Sequence, residues 1–263
     1  MDESVFLAEQ DGAFMPTDHA RGPWDPQALH GGAPAALITA AFERMEPGSE
    51  LVIARLGFEL LRPVPMAPLK LTTRIVRPGR RVQELAGELH AGDELICRAS
   101  ALRVAPIAVE LPENPPGIVP SEPMPGPDQG QPVRFALDDP DQASFAVSME
   151  MRWLDDPRSL GPARVWMRPR HSLTPSEPLT PLARLAATAD FGNGVSAALP
   201  FADYLFINAD LTIHLQRLPR GEWIGLDART LLHQGGSGLA ESVLHDLGGP
   251  LGRAFQTLIV QPR

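Results

Sequence analysis

Only one cysteine, Cys97, occurs in the 263 residues. That excludes an internal disulfide framework and any cysteine-built metal site. No apolar run approaches the roughly 20 residues that a membrane-spanning helix needs. The opening Met1-Asp2-Glu3-Ser4 lacks the basic region of a secretory signal, so cytoplasm is the expected location. Positive charge is scarce: 23 Lys and Arg face 32 Asp and Glu, a net charge of −9. This balance argues against nucleic acid and anionic membranes as partners. It still allows a small anionic substrate held by a local basic patch. The seven histidines are scattered without a pair at metal-ligand spacing, and neither a metal nor a cofactor is expected.

Proline, by contrast, is abundant at 29 residues, and its densest stretch divides the chain. Residues 106–132 lack periodicity and read as a semi-extended linker. Before it, 5–7 and 13–15 read as short strands. The run Leu29-His30-Gly31-Gly32-Ala33-Pro34 then leads into a helix ending near Met45, stopped by Glu46-Pro47-Gly48. From Leu51 the apolar period moves toward two, giving strands at 51–61, 69–76, 82–89 and 95–104, with links short enough for an antiparallel meander. After the linker the order repeats: strands at 144–153 and 164–168, a helix from Thr180, then strands at 204–216, 223–232, 237–244 and 251–260.

The residues repeat as well as the elements. Residues 55–62, Arg-Leu-Gly-Phe-Glu-Leu-Leu-Arg, align without a gap on 210–217, Asp-Leu-Thr-Ile-His-Leu-Gln-Arg, and 99–102 align on 255–258. The expected organisation is therefore two tandem domains, 1–105 and 133–263, separated by the linker at 106–132.

The second helix carries an oddity. Thr180 suits its N-cap, Pro181 its first position and Gly192 a left-handed C-cap. Leu182, Ala186 and Ala189 form its apolar stripe, and Asp190 points to that same side. Either the last turn frays and Asp190 reaches solvent, or the carboxylate works in the interior.

One long helix followed by four antiparallel strands, twice in one chain, is the pattern of an α+β double hotdog. Several stretches resemble the acyl-CoA thioesterase II family: 145–152, 161–168, the helix ending Ala189-Asp190, 207–210, 221–223 and 252–256. In the first half, Leu29-His30-Gly31-Gly32, Leu61-Arg62-Pro63 and the strand ending at Val104 do so as well. The resemblance implies hydrolysis of a fatty or related acyl-CoA to free acid and CoA by a water. That water is held between a helix-end Asp, a Thr beginning the next strand and a Gln on the last strand. These positions fall at Asp190, Asn208 and Gln256, with Asn208 departing from the Thr. In that scheme Asp190 takes the water's proton, while Asn208 and Gln256 orient the water and supply the carboxylate with donors.

The developing oxyanion needs donors too. Amides near Gly31 and Gly32, at a helix N-terminus with His30 beside them, are candidates, although a plain tight turn explains the glycines equally well. Asp210 is a candidate supporting group beside the site. The first half lacks the set: Phe42 or Met45 stands opposite Asp190, or Glu43 if Pro34 is paired with Pro181. Ile53 stands for Asn208 and Ser100 for Gln256, so one site per chain is expected.

Two other functions compete. One is a decayed hotdog that binds acyl-CoA or lipid without turnover, favoured by the Asn208 departure. The other is a hydratase or dehydratase, which needs a His paired with an acid near a helix start; in the sequence no acid lies close behind His30. The cluster Arg74, Arg77, Arg80 and Arg81 fits CoA phosphates or a solvated hairpin tip. The glycine-rich runs at 192–197 and 235–239 lie in the wrong context for a dinucleotide loop or a nucleophile elbow. Exposed sheet edges point to a homodimer or higher homo-oligomer.

Overall fold

The computed structural model describes residues 4–8, 11–110, 123–134 and 142–263. Its first half holds β1 (Phe6–Ala8), β2 (Phe14–Pro16), α1 (Gly32–Arg44), β3 (Val52–Leu60), β4 (Leu69–Arg77), β5 (Val82–Ala91) and β6 (Glu94–Val104). The second holds β7 (Met149–Trp153), β8 (Ala163–Pro169), α2 (Pro181–Ala189), the short α3 (Gly192–Val195), β9 (Tyr204–Asn208), β10 (Asp210–Leu215), β11 (Ile224–His233), β12 (Ser237–Asp246) and β13 (Gly249–Pro262). All thirteen strands belong to one sheet in the order β1-β2-β4-β5-β6-β3-β10-β13-β12-β11-β8-β7, with β9 also pairing β13.

The two halves join where β3 meets β10. In the sequence repeat Gly57 corresponds to Thr212, and the antiparallel ladder pairs those two residues. Equivalent strands thus meet about a local two-fold axis, the arrangement by which two identical copies would bury each other's edge. The same register corrects one sequence pairing. Ser100 lies opposite Gly57 on β6, and Phe255 lies opposite Thr212 on β13, so Ser100 matches Phe255. The counterpart of Gln256 is Ala101, which is buried and apolar.

Helices α1 and α2 pack together beneath the sheet. Small residues let them approach: alanines predominate at their buried positions, and a side chain at Gly32 would strike the Ala187 carbonyl. They run antiparallel, with Thr180 at the start of α2 beside Glu43 at the end of α1.

Three expectations change. The four strands after each helix are not a simple meander. β3 goes to the seam, and β4, β5 and β6 return to pair with its other edge. The link between β3 and β4 carries Pro63, Pro65 and Pro68, which extend it beyond a hairpin. Residues 204–216 form two strands, because the ladder is interrupted at Ala209. Of residues 144–153, only Met149–Trp153 is strand; a turn precedes it. Within the proline-rich stretch, residues 123–134 lie against the second half. There the Pro125 carbonyl accepts from Trp166 Nε1 at 2.7 Å and the Val133 carbonyl from Trp153 Nε1 at 3.1 Å. Residues 111–122 of the stretch lie outside the described residues.

Candidate active site

Asp190 ends α2 as its C-cap in right-handed helical geometry, and it is only 4% exposed. The fraying expectation therefore fails. So does a left-handed Gly192, which instead opens α3. A buried carboxylate needs hydrogen-bond donors, and two strands provide them at Oδ1. Asn208 Nδ2 donates to Oδ1 at 2.8 Å and Gln256 Nε2 donates to the same oxygen at 3.3 Å. His30 Nδ1 lies 2.9 Å from Oδ2.

Each partner is aimed by its own element. Asn208 ends β9 just before the break at Ala209, and the break places positions two apart on opposite faces. Asn208 turns in toward Asp190. The Asp210 carboxylate instead accepts from the Thr257 amide at 2.6 Å and lines a cavity of about 480 Å³ on the outer face. Asp210 reaches Asn208 only through its carbonyl, at 3.4 Å, so its carboxylate does not support the site. Gln256 is inward on β13 and 1% exposed. Its Nε2 also donates to the Asp190 carbonyl at 3.1 Å, and its Oε1 accepts from the Asn193 amide at 3.0 Å. Asn193, within the glycine-rich run set aside above, thus fixes the amide's orientation. Nothing in its spacing pointed there.

His30, Gly31 and Gly32 come from the other half and meet the end of α2 at the start of α1. A methyl at Gly31 would lie 2.8 Å from Asp190 Oδ2. The imidazole is stacked on Phe191 at 4.2 Å between ring centroids, with Phe145 at 5.1 Å. Gly32 N–H points at His30 Nδ1 over 3.0 Å. The acid missing behind His30 in the sequence is supplied across the helix pair by Asp190.

Other candidates fall elsewhere. Arg74 and Asp210 line the same outer cavity, with Arg55, Arg98, Glu59 and Glu88, while Arg77, Arg80 and Arg81 are exposed near the β4–β5 hairpin. Cys97 is buried, and burial pushes its thiol up to about 12. Among the described residues no group of three or more His, Cys, Asp or Glu could hold a metal, and no helix is long and apolar enough to cross a membrane.

Two helices in one shared core, each wrapped by its part of a continuous antiparallel sheet, with one polar centre at their junction, define a double hotdog protein. Solved structures agree on the fold. A hot dog fold protein of unknown function from Alicyclobacillus acidocaldarius is 18% identical over 96% of this chain and 92% of its own, with a TM-score of 0.70. Acyl-CoA thioesterase II TesB2 from Mycobacterium marinum is 17% identical over 90% of each chain, with a TM-score of 0.66. The chain belongs to the acyl-CoA thioesterase family: residues 20–104 match the family's N-terminal domain and residues 119–260 its C-terminal domain. No curated protein matches it.

Proposed function

We propose that this protein hydrolyses acyl-CoA thioesters, with fatty or related acyl chains, to free acid and CoA at the Asp190 centre. One observation carries the reading. Asp190, Asn208 and Gln256, on three separate elements, meet in direct hydrogen bonds at one buried point. A thioester carbonyl needs no strong nucleophile, so a water oriented beside an acid–base centre suffices. Family membership supplies the substrate class, and the start of α1 supplies amides for the oxyanion. The proposal includes domain limits at 1–105 and 133–263 around the 106–132 linker. It also places the chain in the cytoplasm, in fatty acid metabolism, as a homo-oligomer associating through sheet edges.

The test is thiol release from acyl-CoA of graded chain length by the wild type and by Asp190→Asn. We expect kcat/KM to fall at least 10²-fold in the variant, the lower range for loss of acid–base catalysis. Robust hydrolysis by Asp190→Asn would sink the assignment. The His30–Asp190 contact favours a second reading, hydration or dehydration of an acyl thioester, because it is the His–acid pair that chemistry requires. Loss of enoyl-thioester absorbance without thiol release would select it.

A further inference from the structure

The cavity of about 480 Å³ on the outer face of the sheet spans the seam between the halves, and the ladder registers sort its lining into rows. Ala86, Ser100, Gly57 and Thr212 stand side by side on β5, β6, β3 and β10 and form a floor of small residues. Two residues along the strands in one direction stand Glu88, Arg98, Glu59 and Asp210. Two residues along in the other stand Glu84, Leu102, Arg55 and His214. At the seam strands β3 and β10, one bank is therefore acidic, with Glu59 and Asp210, and the other basic, with Arg55 and His214. The second half has no such hollow, because Phe255 replaces Ser100 and its ladder neighbour Glu241 pairs with Arg229.

An exposed sheet face ordinarily pairs its charges across neighbouring strands. Here Arg98 has a glutamate on each side, Glu59 and Glu88, yet none of these three side chains forms a hydrogen bond or ion pair with another described residue, nor do Arg55 and Arg74. Three arginines and three carboxylates line the hollow. A small ligand of one charge sign meets as much repulsion there as attraction. A surface carrying both signs in matching order meets attraction along both banks.

We propose that this hollow is one side of an interface with a second copy of this chain, the two related by a two-fold axis lying along the floor. Such an axis keeps each strand's place across the sheet but exchanges the banks, so the contact is self-complementary. Glu59 of each copy then faces Arg55 of the other, and Asp210 faces His214. Toward β5, Arg98 comes between its own Glu88 and Glu84 of the second copy. The small floor residues let the two faces approach, with water filling the hollow between them. This contact is separate from association through the sheet edges, since β1 and β7 end the sheet and neither lines the hollow.

Charge exchange within β3 tests the axis, read by sedimentation equilibrium. Glu59→Arg and Arg55→Glu should each weaken self-association at least about tenfold, because each places like charges opposite one another twice. Combining them restores both pairs at unchanged net charge, and the double variant should return to within about threefold of wild type. That recovery also excludes misfolding as the cause of the single losses. Single variants that associate like wild type would overturn the proposal and leave the edges as the contact. A double variant as weak as the singles would overturn it too, and a monomeric wild type would overturn both modes. As a second readout, Thr212→Cys lies on the axis. A bifunctional maleimide of about 10 Å reach, the spacing of stacked sheets, should join it to itself; no joined product would refute the axis.

Discussion

Gly31 and Gly32 are neighbours with different burdens. A methyl on Gly31 would come within 2.8 and 3.1 Å of the two Asp190 oxygens, whereas one on Gly32 would come within 2.5 Å of the Ala187 carbonyl and 2.7 Å of the Phe145 ring. The first position touches the Asp190 carboxylate of the proposed site; the second touches the backbone of the facing helix. Gly31→Ala should therefore cost activity, on the order of tenfold or more in kcat/KM, because a displacement of about 1 Å at a reacting group is enough. Its melting temperature should stay close to wild type. Gly32→Ala should instead destabilise by about 1–3 kcal/mol, the usual cost of overpacking. Parallel melts and thiol-release assays check the division, and matching losses in both variants would refute it. The Asp–Gln–Asn set was legible as single residues through the family resemblance. The His30–Asp190 contact was not, because it joins residues from different halves and no local spacing encodes it.

Each helix ends with an acid placed against the start of the other. Asp190 meets Gly31 at the start of α1, and Glu43 meets Thr180, whose hydroxyl donates to its carboxylate, at the start of α2. Burial raises the Glu43 pKa, with the Thr180 hydrogen bond opposing that rise. The two junctions diverge in what surrounds the acid. Asp190 has a histidine and two glycines before it; Glu43 has Leu179, Thr180 and Pro181. We propose that only the first junction carries the chemistry, because there the acid meets a histidine and two glycines. Thr180 serves the other as a structural cap, accepting from the Ala183 amide at 3.0 Å. Thr180→Ala should lower stability by about 0.5–2 kcal/mol through the lost cap. Thr180→Ser should recover most of that, with thiol release per folded molecule unchanged in both. Thermal melts read the first effect and titrated assays the second.

The sheet runs unbroken across both halves, and α1 and α2 share one core, so neither half has a complete interior of its own. The chain should unfold in a single transition by near- and far-ultraviolet circular dichroism; two separated transitions would contradict the shared core. The midpoint should also fall below neutral pH. His245 is 2% exposed with Nδ1 unpartnered among the described residues, and burial lowers its pKa below the ordinary histidine value of about 6.5. Between the lowered folded value and the ordinary one, the unfolded chain binds more protons, so stability rises with pH. The contribution is complete above about 6.5 and is lost progressively as pH drops below it. A midpoint that does not fall between pH 7 and 5 would overturn this account.

Much of the fold was readable before any coordinates, because hydrophobic period, turn residues and the repeat are local signals. Gly57 and Thr212 were already equivalent in the repeat, and the ladder pairs them. Strand order was not readable, since β4 could follow β3 or cross away from it with the same alternation. Nor was the face of Asp210, which depends on an interruption at Ala209 that alternation alone does not show. The site lay furthest from sequence. Its residue types could be named one at a time, but which oxygen meets which nitrogen depends on how two helices from two halves cross. That crossing is set by side-chain packing across the whole core, which no stretch of chain contains by itself.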